Sequence, residues 1–79
     1  MEEIEIVKII YLKHKINGNC FNFDYLINND IVSGQYYIDE KKLGMHHIPL
    51  GTNAKEYDEK LLYSLKKKLK EISKFIDII

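Results

Sequence analysis

Three apolar runs separated by Asn, Asp and Gly occupy residues 4 to 38, and beyond residue 53 the apolar positions change to a spacing of three and four. Alternation bounded by turn residues predicts strands, and a 3.6-residue period predicts a helix. The expected class is α+β: a three-stranded antiparallel meander, order 1-2-3, with one long C-terminal amphipathic helix packed on one face (βββα). Residues 1–79 form a single domain on this reading.

Two turn signals predict the register. Asn17-Gly18 suits the positive φ of a two-residue hairpin turn, which pairs His14 with Phe21, Leu12 with Phe23 and Ile10 with Tyr25. With Asn29-Asp30 as the second turn, Ile27 faces Val32, Tyr25 faces Gly34, Phe23 faces Tyr36 and Phe21 faces Ile38. Side chains alternate across a strand, so both registers gather Ile10, Leu12, Phe21, Phe23, Tyr25, Ile27, Val32, Tyr36 and Ile38 on one face. Gly34 then leaves room for the Tyr25 ring. The opposite face is polar except at one corner, where Val7, Ile9 and Tyr11 meet Leu26 and Tyr37. A bulge near Lys8, redirecting Ile4 and Ile6, is the alternative for the start of the first strand.

Thr52 or Asn53 is a suitable N-cap for a helix running to the terminus. Ala54, Leu61, Leu62, Leu65, Leu69, Ile72, Ile76 and Ile79 fall on one stripe, with Tyr57 and Phe75 on its flank and Ile78 off it. Glu56, Asp58 and Glu59 near the start, and lysines toward the end, suit the helix dipole.

A 79-residue chain buries only about 60% of its unfolded surface, so a thin core is expected. Cys20 is the single cysteine, which excludes an intrachain disulfide. Met1 leads into Glu2 and Glu3, and no run approaches the roughly 18 apolar residues of a membrane span, so a cytoplasmic protein is expected. Lysines and acids balance at 12 each, but residues 1–40 hold three Lys against seven acids and residues 41–79 nine against five. Arginine is absent while Ile, Lys and Asn abound, a bias that suits an AT-rich bacterium or its phage. Without arginine's planar fork, bidentate recognition of phosphate or guanine is not available.

The segment LGMHHIPLG, residues 43–51, holds the candidate chemistry. If it starts beside the first hairpin, His14, Tyr36, His46 and His47 converge as a candidate site for a small polar ligand. Adjacent histidines in an extended loop point opposite ways and Cys20 faces away, so neither a metal nor a cofactor is expected. The plainer reading has Met45 and one of His46 or Ile48 closing the end of the core, with both histidines replaceable at little cost. No nucleophile has a base and orienter at hand, and a sheet under one helix promises little concave volume, so no enzyme is expected. Lys66, Lys67, Lys70 and Lys74 surround Tyr63 in a pattern that can meet phosphate and stack a base, but Glu59, Glu71 and Asp77 interrupt it.

What remains is a small non-enzymatic protein-interaction module. Its expected partner is another protein or a second copy in a homodimer, bound through Val7, Ile9, Tyr11, Leu26 and Tyr37, as a phage or mobile-element inhibitor or adaptor would bind a host protein. A homo-oligomer that sequesters a small polar or anionic ligand is the first alternative. A weak nucleic-acid-binding accessory protein is the second.

Overall fold

The computed structural model describes residues 3–14 and 18–72. Strands β1 (Ile6–His14), β2 (Gly18–Ile27), β3 (Asp30–Tyr37) and β4 (Lys42–Leu43) form one antiparallel sheet in the order β1-β2-β3-β4, followed by helix α1 (Ala54–Glu71). The expected α+β meander with a C-terminal helix is present, with one strand more than its pattern shows. After Lys41 adopts a φ of 55°, Lys42 and Leu43 return beside Tyr37 and Tyr36. Two residues are too few for alternation to reveal them.

The β1–β2 register differs from expectation. Ile9 faces Phe23, Ile10 faces Asn22, Tyr11 faces Phe21 and Leu12 faces Cys20. This shift of three residues is odd, so it exchanges the faces of β1: Ile9 and Tyr11 share the aromatic face, and Ile10 and Leu12 share the opposite one. The strand is apolar at successive positions, so its pattern does not select a face. Gly18, at φ +78°, opens β2 and pairs with His14 instead of lying inside a two-residue turn; Asn17 lies outside the described residues. The bulge alternative is realised between Ile6 and Lys8. One extra residue changes the parity of the strand, so Ile4 and Ile6 join Ile9 at the core.

The second hairpin turns on Asn28 and Asn29, at φ 50° and 70°, instead of Asn29-Asp30. Asparagine tolerates this left-handed backbone better than most residues, and Ile27 closes the turn against Asp30. Moving the turn by one residue displaces the register by two, which leaves every side chain on its expected face. Phe21 now faces Tyr36, Phe23 faces Gly34 and Tyr25 faces Val32.

Asn53 caps α1, its Oδ1 accepting the Glu56 amide at 3.1 Å. Tyr57, Leu61, Ser64, Leu65 and Leu69 are buried, while Leu62 packs at the margin and Ala54 is exposed. The buried stripe therefore centres on Leu61 and Leu65, rotated away from the expected Ala54 and toward Tyr57. Phe75, Ile76, Ile78 and Ile79 lie outside the described residues. Phe21, Phe23 and Tyr25 on β2, with Leu61, Leu65 and Leu69, are fully enclosed. Ser64 serves a second purpose: its Oγ accepts the Ile4 amide at 2.9 Å and holds the segment before β1 against the helix.

Gly34 is closely packed on β3. A Cβ built there would lie 2.9 Å from Phe23 Cζ and 3.2 Å from His46 Cβ. Gly34→Ala is expected to lower unfolding stability by about 1–3 kcal/mol through overpacking, read from the denaturation midpoint.

Candidate functional site

The histidine segment does not project from the end of the sheet. After β4, the Gly44 amide donates to Gln35 O at 2.7 Å and the Gln35 amide donates to Met45 O at 2.9 Å, so the chain runs back along β3. This carries His46 to Gly34 and Phe23, while His14 stays opposite Gly18 at the far end of β1. The His14 side chain lies outside the described positions. Tyr36 is buried in the core, which pushes its hydroxyl pKa up. The structure thus does not assemble His14, Tyr36, His46 and His47 into one site. Among the described residues, no group of three or more His, Cys, Asp or Glu is placed to hold a metal ion.

His46 is instead a tie between loop and helix. Its Nδ1 donates to Gly44 O at 2.7 Å, because a carbonyl only accepts, and its Nε2 lies 2.7 Å from Asp58 Oδ1 on α1. Both ring nitrogens are engaged, and the side chain is only 14% exposed. Next to it, the Tyr25 hydroxyl accepts the His47 amide at 2.7 Å and donates to His47 O at 2.6 Å. Burial pushes the Tyr25 pKa up to about 12, against an opposing pull from the His47 amide. Ile48 packs on the core as expected, whereas Met45 is 80% exposed and plugs nothing. Sequence reasoning missed Tyr25 and Asp58 as partners of the loop, because a tyrosine in an apolar alternation and an acid in a first helical turn both have ordinary explanations.

The register change redistributes the predicted partner surface. Ile9 and Tyr11 lie on the covered face, and Ile9 packs against the core. Leu26 faces outward opposite Ile31, which is 66% exposed, and Val7 sits in the bulge at 43% exposed. Tyr37 covers Gly44 and donates its hydroxyl to Gln35 Oε1 at 3.2 Å. On α1, Tyr63, Lys66, Lys67 and Lys70 line one shallow depression, and Lys67 is ion-paired with Glu3. Lys74 lies outside the described residues.

The uncovered face is not flat. Asn22, Asp24, Ser33 and Gln35 floor a trough of about 410 Å³, with Ile10 on one rim and Met45 and His47 on the other. This is more concave volume than expected of a sheet under one helix. Its polar groups are ordered: Ser33 Oγ donates to Asp24 Oδ1 at 2.7 Å, and Cys20 Sγ lies 3.9 Å from Asn22 Oδ1. Cys20 itself is buried.

His46→Ala removes two hydrogen bonds and is expected to cost about 1–3 kcal/mol of unfolding stability, whereas the exposed His47 ring is expected to be replaceable with little change. This reverses the expectation that both histidines are replaceable. Folding also raises the Tyr25 pKa from 10.0 to about 12, so its contribution is intact below pH 10 and is lost as pH rises toward 12. Tyr25→Phe should remove that part of the alkaline decline in stability and cost about 1–2 kcal/mol at neutral pH, measured by denaturant titration. Comparison with family models, curated proteins and solved structures returns no match to this chain.

Proposed function

We propose that the protein is a small, non-enzymatic interaction module whose partner is a second copy of the chain, bound through the aliphatic end of the sheet. The observation that carries this reading is the exposure of Ile31 opposite outward-facing Leu26, and of Val7 in the bulge of β1, while α1 packs against the other face. Val7 and Leu26 are retained from the predicted surface, and Ile31 takes the place of Ile9 and Tyr11. Removing about 200 Å² of apolar surface from water contributes roughly 5 kcal/mol before the costs of association. In a small domain with a thin core, that gain also stabilises the fold.

The non-enzymatic reading is supported by His46, whose two nitrogens are held by Gly44 O and Asp58 and are not left to take a proton from a nucleophile. Among the described residues no helix is long and apolar enough to cross a membrane, and a cytoplasmic setting remains part of the proposal. So does the wider role of a phage or mobile-element product that acts on a host protein.

Light scattering over a range of concentrations tests the module directly. The wild type should form dimers, and Leu26→Lys with Ile31→Lys should weaken assembly at least tenfold while circular dichroism is unchanged. Ile9→Lys, on the covered face, should lower stability instead. A wild type that is monomeric at every concentration overturns the reading.

A further inference from the structure

His46 sits between two acceptors. Its Nδ1 is 2.7 Å from Gly44 O and its Nε2 is 2.7 Å from Asp58 Oδ1. A carbonyl and an ionised carboxylate have no proton to offer, and a neutral imidazole carries one N–H. Both contacts are therefore hydrogen bonds only when a second proton is present. Assigning that proton to the carboxyl instead of the ring leaves the count unchanged. The pair holds one proton more than a neutral imidazole beside a carboxylate.

The surroundings leave this proton as the variable one. Beside the ring, β3 presents Gly34 and β2 presents Phe23, neither of them charged. The hydroxyls of Tyr25, which holds His47, and of Tyr57, next to Asp58 in α1, have pKa values raised by burial, to about 12 for Tyr25. Neither changes charge where imidazoles do, between roughly pH 5 and 8. Lys55, one turn before Asp58, is exposed, as is the His47 ring. Asp24 lies on the uncovered face, bound to Ser33. We propose that His46 is a pH-sensitive switch: doubly protonated it fastens residues 44–48 to α1, and on losing one proton to solvent it lets that segment part from the helix. The tie is complete at acid pH, and one of its two hydrogen bonds is lost as pH rises through the imidazole range. Met45 and His47 form one rim of the trough, so the shape of that rim follows the proton.

The switch does not depend on self-association, since Leu26 and Ile31 take no part in it. The test is nuclear magnetic resonance of the ¹⁵N-labelled full chain at about pH 5 and about pH 8. Both His46 ring nitrogens should carry protons at the lower pH and one at the higher. The Gln35 and Gly44 amides, which bond the segment to β3, should lose at least about tenfold of their protection from hydrogen exchange, corrected for the intrinsic effect of pH. His47→Gln should retain this response. Asp58→Asn should abolish it, because an amide turns its N–H toward a neutral ring or its oxygen toward a charged one. A single ring proton at the lower pH, constant protection in the wild type, a wild-type response in Asp58→Asn, or no response in His47→Gln would each overturn the proposal.

Discussion

Helix α1 covers one face of the sheet, and this chain must place enough apolar surface on that face to close a core. β2 supplies Phe21, Phe23 and Tyr25, all fully enclosed, against Leu61, Leu65 and Leu69. β1 contributes on both sides of its bulge: Ile9 at one parity, Ile4 and Ile6 at the other. A regular strand would turn one of those groups to solvent. The Ile4 amide on Ser64 Oγ then draws the leading segment toward the helix, and among the described residues no buried side-chain polar atom lacks a partner.

The uncovered face inherits what the core leaves. Ile10 and Leu12 occupy it because Ile9 and Tyr11 face inward, and its polar side chains are ordered mainly by neighbours on the same face, Ser33 with Asp24 and Tyr37 with Gln35. The histidine segment borders both faces: His46 is joined to Asp58 on α1, while Met45 and His47 form a rim of the trough. The Tyr25 hydroxyl links the two settings by engaging both main-chain groups of His47. A core aromatic thus fixes the backbone beside the surface depression.

The α+β class, the faces of β2 and β3, and the Asn53 cap were legible because period, turn residues and cap chemistry agreed there. β1 was not, since Val7 to Leu12 is apolar on both parities except at Lys8 and hydrophobicity alone leaves its register degenerate. The β2–β3 register moved by two residues without consequence for the faces, whereas the β1–β2 register moved by three and changed them. The candidate site was less legible than the fold. His46 stood out in the sequence, but its partners are a carbonyl and a carboxylate brought near by a two-residue strand that has no period of its own.

The bulge between Ile6 and Lys8 also limits the geometry by which copies of this chain can meet. An uninterrupted edge strand offers a regular row of amides and carbonyls, onto which strand after strand can be added without limit. In β1 that row is broken near its start, with an exposed lysine just beyond the break. Extension of the sheet from this edge is thereby opposed, and contact by the face is left as the less hindered route. Face-to-face contact about a twofold axis is used up by one pair, whereas edge addition regenerates a free edge at each step. The irregularity that completes the core therefore also favours a closed assembly over an open-ended one.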